Sequence, residues 1–130
     1  MVKDDEIRRI LLKLGWAIVG EAKKTFIRNR SVDTGELLNS IIAEAQEDGS
    51  VIVGSKVVYA PAVEFGTRPH FPPTQPIKEW AHRKLGLEGE ELEKATKSIQ
   101  WKIYHEGTPG APYLRPALNK APELLKQILR

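Results

Sequence analysis

The chain has 130 residues, a formal net charge of +3 and no cysteine. A chain of this length is expected to fold as one domain that buries about two-thirds of its unfolded surface, and the lack of cysteine excludes disulfides, thiolate metal sites and thiol nucleophiles. We therefore predict a single domain over residues 1–130 that is made in the cytosol. Charges interrupt the apolar stretch near the N-terminus, so neither a signal peptide nor a membrane span is expected.

The charge is distributed unevenly along the chain. Residues 1–30 carry eight basic and four acidic side chains, whereas residues 31–67 carry one basic and six acidic side chains. This polarity suits head-to-tail contacts between subunits, or a basic face turned toward nucleic acid, and ordinary solvated faces give the same pattern.

The N-terminal segment has the periodicity of an amphipathic helix. Apolar residues recur at three- and four-residue steps from Ile7 to Phe26, behind Asp4 and Asp5 as N-terminal caps. Four basic residues lie at the C-terminal end of this segment: Lys23, Lys24, Arg28 and Arg30. They either stabilise the exposed carbonyls of the last turns or form a surface that faces DNA.

A short helical turn is expected directly after this helix. Asp33 or Thr34 is placed to cap it, and Glu36 follows three residues beyond Asp33 as in a capping box. A second element is therefore predicted to begin near Glu36.

Two apolar runs rich in β-branched residues predict an antiparallel hairpin. Residues 41–45 and 51–53 flank an Asp-Gly pair that supplies the positive φ angles of a tight turn. Residues 57–59 extend the second strand or begin a third, and strand pairing should stop near Pro61, which has no N–H to donate. The chain is then expected to turn through residues 62–67.

Residues 68–106 have the pattern of an insertion on the sheet. Four prolines within residues 68–76 predict an extended surface loop, and two helices follow, the first stopped by Gly86 and the second by Gly107. The tail has a Pro/Gly loop and then helical spacing, in which Pro122 should kink or restart the last helix. The sequence around Gly107 also echoes the Gly-Thr pair of residues 66–67, with a proline following within two residues of the threonine in both places.

The sequence contains no motif of catalysis or metal binding that we can identify. The three histidines are not spaced as in HExxH, and there is no phosphate loop, GxGxxG fingerprint or GxSxG nucleophile elbow. Glu64 could act as a general acid or base, but a single acid beside Phe65 and Gly66 more often caps, turns or forms an ion pair. We therefore expect no enzyme activity, no catalytic residue, no metal site and no cofactor.

The order of several motifs resembles a known family. After the amphipathic helix come TGELLNSI at 34–41, VIVGS at 51–55, YAPAVEFGT at 59–67 and APYLRPAL at 111–118. This string resembles the small head-tail joining, or tail completion, proteins of tailed phages, and the match spans nearly the whole chain. Its most specific part is YAPAVEFGT joined at the right distance to APYLRPAL.

The resemblance implies an α+β fold. In it a long N-terminal amphipathic helix packs on a small antiparallel β-sheet, with a helical-pair insertion over residues 68–106 and a C-terminal helix. The resemblance also implies a structural protein of a virion or prophage, made in the host cytoplasm, whose subunits form a ring expected to be a hexamer. The ring would join the portal connector to the tail proteins, with DNA passing through without sequence specificity and with no membrane involved.

The family motifs imply structural residues. Thr34 and Gly35 open the first motif. Five residues would shape a loop at the sheet edge: Tyr59, Glu64, Phe65, Gly66 and Thr67. Five others would dock the final helix: Pro112, Tyr113, Leu114, Arg115 and Pro116. Arg115 is expected to form an ion pair between subunits, and Tyr113 stands where the family usually has phenylalanine.

A basic nucleic-acid-binding module is the alternative function. Seven residues would contact phosphates: Lys23, Lys24, Arg28, Arg30, Lys120, Lys126 and Arg130. The aromatic residues are scattered rather than interleaved with Arg and Lys on one predicted strand, as stacking on single-stranded nucleic acid would need, so core or interface packing is expected for them. Phosphate binding should weaken steeply with salt, which distinguishes this function from a ring through which DNA slides.

Overall fold

The computed structural model describes residues 4–130, which form seven helices and two strands. The helices are α1 (Asp4–Arg28), α2 (Glu36–Ser40), α3 (Ala60–Phe65), α4 (Thr74–Leu85), α5 (Gly89–Glu106), α6 (Leu114–Asn119) and α7 (Ala121–Leu129). The strands are β1 (Ile42–Ala45) and β2 (Val51–Gly54). The predicted α+β fold class is confirmed, because a long N-terminal helix, a small antiparallel sheet, a helical pair and a C-terminal helix are all present.

The backbone contacts divide the chain into two compact units. The main unit contains the described residues up to Glu64 together with Ala111–Arg130, and the inserted unit contains Phe65–Gly110. The inserted unit thus includes the predicted insertion at residues 68–106, and the single-domain organisation stays a prediction. None of the described helices is long and apolar enough to cross a membrane.

The long helix α1 contributes the largest part of the core of the main unit. Ile18, Val19, Ala22 and Phe26 are buried along one face, in agreement with the predicted apolar stripe. The stripe does not extend to the N-terminal end as predicted, because Ile7 is exposed. The acids predicted as caps, residues 4 and 5, lie in the first helical turn, where carboxylates favour the free amides of a helix.

The predicted hairpin is confirmed. β1 pairs antiparallel with β2, with Ala43 opposite Val53 and Ala45 opposite Val51. In the turn, Asp48 Oδ1 accepts hydrogen bonds from the backbone amide and the hydroxyl of Ser50, at 2.9 and 2.6 Å. These two bonds lower the pKa of the Asp48 carboxyl, the hydroxyl having the larger effect.

Gly15 allows the hairpin to pack directly on α1. A Cβ atom at this position would lie 2.7 Å from Cγ1 of Val51 and 3.0 Å from Cβ of Ala43. Because residues alternate between the two faces of a strand, these contacts place the inner face of the hairpin against α1 and leave Ile42 and Ile52 on the outer face. The predicted packing of the long helix on the sheet therefore depends on this glycine.

We expect Gly15→Ala to lower the free energy of unfolding by about 1–2 kcal/mol, because the cost of overpacking exceeds the gain in helix propensity. Gly20 lies in the same helix with nothing within 4 Å of an added Cβ, so it is the matched control. Gly20→Ala should raise the free energy of unfolding by about 0.5–1 kcal/mol. Urea unfolding of both variants tests this, and a stabilised Gly15→Ala protein would contradict the packing described above.

Residues 57–59 form no strand, contrary to both alternatives in the prediction. β2 ends at Gly54, and Ser55 Oγ accepts the backbone amide of Val57 at 3.1 Å while lying 2.6 Å from Ser40 Oγ. These bonds turn the chain away from the sheet. The turn predicted for 62–67 is also wrong over most of its length, because Ala60–Phe65 is helical with Pro61 in its first turn, where proline loses no helical hydrogen bond.

The N-cap of α2 is Gly35, at a φ of 90°, rather than Asp33 or Thr34 as predicted. The Thr34 hydroxyl nevertheless accepts the backbone amide of Glu36, the first residue of α2, at 3.4 Å. The Glu36 carboxylate accepts a hydrogen bond from Tyr59 Oη at 3.0 Å.

The C-terminal segment forms two helices that both pack on α1. The predicted restart at Pro122 is confirmed, because α6 ends at Asn119 and α7 begins at Ala121 with the proline in its first turn. Ala117 is fully buried, so α6 is anchored in the core of the main unit.

The inserted unit is built around α4 and α5, which pack against each other. As predicted, Gly86 ends α4 in the left-handed conformation and Gly107 follows the last residue of α5. The proline-rich loop predicted for 68–76 is present over 68–73, whereas Thr74–Pro76 already belong to α4. The backbone of the loop is held by Gln100, whose buried Nε2 donates to the Pro72 carbonyl at 3.1 Å and to Thr74 Oγ1 at 2.9 Å.

Candidate assembly site

Glu64 joins the segments YAPAVEFGT and APYLRPAL within the main unit. Its side chain is only 6% exposed, and its carboxylate accepts three backbone amides from residues about fifty positions later in the chain. Tyr113 N and Leu114 N donate to Oε1 at 3.0 and 2.8 Å, and Arg115 N donates to Oε2 at 3.1 Å. These amides belong to the N-terminus of α6, which has no side-chain cap of its own from Tyr113. Glu64 is therefore the cap of a helix that is distant in sequence.

The segment before α6 is held by further bonds to the main unit. The Ala111 amide donates to the Val63 carbonyl at 2.8 Å, and Asn29 Nδ2 donates to the Pro112 carbonyl at 3.0 Å. Each of these bonds fixes the backbone immediately before the helix. The motifs YAPAVEFGT and APYLRPAL thus form one structural element through backbone groups.

Tyr113 fills the core beneath this element. Its ring meets that of Phe26 edge to face, with centroids 5.2 Å apart, and its side chain is almost fully buried. Burial, and secondly the Glu64 carboxylate, raise the pKa of the Tyr113 phenol, so the ring stays neutral and packs as an apolar group. A phenylalanine would fill the same space with its ring.

The Gly-Thr echo noted in the sequence is a paired structure within the inserted unit. Thr67 and Thr108 form an isolated antiparallel bridge with N–H···O distances of 3.0 and 3.1 Å, and their hydroxyls lie 2.7 Å apart. Gly66 and Gly107 have φ angles of 79° and 71°. A Cβ at Gly107 would lie 2.1 Å from the Thr67 carbonyl oxygen. The backbone at Thr67 therefore occupies the space that a side chain at position 107 would need, and the backbone at Thr108 does the same for position 66.

Some of the residues predicted to shape a loop at the sheet edge belong to a helix instead. Tyr59 precedes α3, and Glu64 and Phe65 belong to it. Gly66 and Thr67 follow the helix, with Gly66 at a φ of 79° and Thr67 in the bridge to Thr108. Phe65 is exposed on this short helix. From this helix, the Glu64 carboxylate reaches the backbone amides at the N-terminus of α6.

The second predicted group, expected to dock the final helix, lies at the start of α6, and its members differ in burial. Tyr113 is buried and Leu114 and Pro116 are half-buried, whereas Pro112 and Arg115 are exposed. Only the backbone amide of Arg115 takes part in the cap. Its guanidinium forms no ion pair with any residue from 4 to 130, which leaves it available for a partner.

The proposed DNA-facing residues do not behave as one group. Lys24 Nζ lies 3.6 Å from Glu21 Oε1, and Lys120 Nζ lies 3.1 Å from Glu21 Oε2. The hydrogen bond from Lys120 is the main reason that the pKa of Glu21 is lowered. Arg28, the last residue of α1, and Arg30, which lies two residues beyond it, are exposed, whereas Lys23 is half-buried.

The structure shows an exposed apolar surface on the main unit that sequence reasoning missed. Ile42 and Ile52 lie on the outer face of the hairpin. Ile42 also lines a shallow depression with Val58 and Tyr59, and Val58 is 95% exposed. We call these four residues, with Glu36 at the rim of the depression, the hairpin surface.

A second exposed apolar surface lies on the inserted unit. Trp101 is 64% exposed on α5, and its ring meets His105 edge to face with centroids 4.1 Å apart. Phe71 and Tyr104 are both exposed and contact each other, with centroids 6.3 Å apart. We call these four residues the α5 surface. Helical spacing alone could have indicated it, because Trp101 lies opposite the buried stripe of α5.

Among residues 4–130, no group of three or more His, Asp or Glu side chains is placed to hold a metal ion. Comparison with known proteins yields no match to a family model, a curated protein or a solved structure.

Proposed function

We propose that the protein is a structural subunit of a tailed-phage or prophage particle, which assembles into a ring and joins the head to the tail. The observation that carries this proposal is the convergence of YAPAVEFGT and APYLRPAL on the Glu64 carboxylate. All three of its hydrogen bonds are to backbone amides, which suits an acid that holds a subunit together rather than one that acts on a substrate. The spacing between the two motifs then has a structural cause.

Two exposed apolar surfaces support an assembling function. Soluble monomers rarely expose contiguous apolar area without a use for it, and aromatic residues are enriched where proteins meet. Val58 and Trp101 are examples, with exposed fractions of 95% and 64%. Their exposure is what a subunit awaiting neighbours requires.

Removal of the gene from the virus or lysogen that encodes it tests the proposal. We expect electron micrographs of the induced lysate to show separate heads and tails, and a plasmid copy of the gene to restore joined particles. Joined, infectious particles from the deletion strain would overturn the proposal.

We predict that Arg115→Ala reduces the yield of infectious particles by about tenfold or more without unfolding the protein. The exposed guanidinium would lose a partner on a neighbouring subunit, whereas the amide that donates to Glu64 remains. Arg9→Ala is the matched control, because Arg9 is exposed and lies outside the motifs. Titre and thermal unfolding of both variants would be measured, and a normal titre for Arg115→Ala would contradict the role of this side chain.

The basic nucleic-acid-binding module remains a second candidate, favoured by the exposure of Arg28 and Arg30. Binding through phosphates should weaken steeply as salt rises. We would measure the mass of the protein by light scattering over a concentration series, with and without duplex DNA. Oligomers that form without DNA support the joining function, and a strict monomer that shifts with DNA only at low salt supports the module.

A further inference from the structure

We propose that the α5 surface of one subunit docks on the hairpin surface of a second copy of this chain. This inference rests on the proposed function and deepens it, because it assigns the surfaces through which neighbouring subunits meet. The contact is head-to-tail, with a different surface contributed by each copy.

The geometry of α5 turns Trp101 away from its own unit. Leu92, Thr96 and Gln100 are the buried residues of this helix and repeat at four-residue steps. At about 100° per residue, Trp101 lies opposite Leu92 and so points outward. An outward Trp on a regular helix is the kind of anchor that dominates interfaces when it fills a partner's depression.

The α5 surface is basic around its aromatic residues. From Lys94 to His105 the helix carries three lysines and no acid, and Lys97 and Lys102 are both exposed next to Trp101 along the helix. The acids of α5 lie toward its two ends, and Glu93 is paired with Lys78. The rings lie in the last two turns of α5, where the nearest charged residues along the helix are Lys97, Lys102 and Glu106, so this surface is positive on balance.

The hairpin surface has the opposite charge. Residues 31–59 contain five acids and a single lysine, Lys56, which pairs with Glu44 across 3.5 Å. Glu36 and Lys56 both line the depression with Ile42 and Val58, and because Glu44 offsets the charge of Lys56, Glu36 leaves the rim negative. An apolar depression with a negative rim complements an exposed apolar surface with a basic rim in charge.

This complementarity identifies the occupant as another copy of the chain. Each subunit carries one surface of each sign, so pairing like with like would place equal charges together, whereas pairing unlike surfaces brings opposite charges together. Contacts between unlike surfaces are heterologous, and they generate a ring when the rotation between subunits closes. A ring is the assembly that the proposed function needs.

Cross-linking tests the contact directly, because the chain has no cysteine of its own. Ser98→Cys places a thiol on the outer face of α5, and Lys56→Cys places one beside the depression. A mixture of the two single variants, one of them tagged, should give a disulfide-linked heterodimer under mild oxidation. Gln127→Cys, exposed on α7, is the control that should not cross-link to Lys56→Cys. Equal yields with the control would overturn the inference.

Mutation tests the energetics of the same contact. We expect Trp101→Ala and Lys97→Glu each to raise the concentration needed for self-association by about tenfold or more. The double variant Lys97→Glu with Glu36→Lys should restore association, because opposite charges face each other again. Trp16→Ala is the control, since Trp16 is an exposed tryptophan of α1 outside both surfaces. Thermal unfolding shows whether each variant remains folded.

The outcomes separate this inference from the function on which it rests. Self-association unchanged by Trp101→Ala and Lys97→Glu overturns the inference, as does a wild-type protein that stays monomeric at every concentration. The proposed function is judged by the deletion strain: separate heads and tails would leave it standing even when the inference fails. Joined particles from that strain overturn the function, whatever surfaces the subunits use to associate.

Discussion

Glu64→Ala is expected to lower the free energy of unfolding by about 3–4 kcal/mol. The substitution removes the acceptor of three amides at the N-terminus of α6, each of which costs about 1–3 kcal/mol when it is buried without a partner. Water reaching the vacated site reduces the sum, which is why we expect less than the full total. Urea unfolding followed by circular dichroism would measure the loss.

Two controls make the Glu64 result specific. Glu64→Gln keeps one oxygen acceptor but loses the charge and the second oxygen, so we expect an intermediate loss of about 1–2 kcal/mol. Glu47→Ala removes an exposed acid from the hairpin turn and should change the free energy of unfolding by less than about 0.5 kcal/mol. If Glu64→Ala unfolds at the same urea concentration as Glu47→Ala, the capping role is wrong.

Gly107→Ala is expected to have a comparably large effect on the inserted unit, about 3 kcal/mol or more. The residue has φ 71° and ψ −160°, a backbone conformation that is essentially confined to glycine. The added Cβ would also lie 2.1 Å from the Thr67 carbonyl oxygen, an atom of the backbone that cannot rotate away. The bridge between Thr67 and Thr108 should therefore open.

Gly86→Ala is the matched control for this prediction. Gly86 also ends a helix at a positive φ, 65°, but nothing lies within 4 Å of an added Cβ. Gly86→Ala should lower the free energy of unfolding by about 1 kcal/mol, from backbone strain alone. Hydrogen exchange at the Thr108 amide, which donates to the Thr67 carbonyl, reports on the bridge itself. Equal protection in the two variants would contradict the role assigned to the close approach.

The elements that were predicted correctly depend on interactions between residues close in sequence. Three such signals are the helical periodicity of α1, the Asp-Gly turn of the hairpin and the glycine after α5. Each acts within a few residues, so it can be recognised in the sequence without tertiary contacts. α3 was missed because it has only six residues and contains a proline near its start. A segment this short has too few positions to show a period.

The candidate site was likewise only partly predictable from the sequence. The sequence by itself determined the fold class, the motifs YAPAVEFGT and APYLRPAL as a pattern, and the expectation that Glu64 caps, turns or forms an ion pair rather than catalyses. Only the tertiary structure decided which helix Glu64 caps, that the Gly-Thr echo is a bridge, and that Trp101 is exposed. The reason is physical: a cap, a close backbone approach and exposure each depend on partners brought together, or withheld, by the folding of distant parts of the chain.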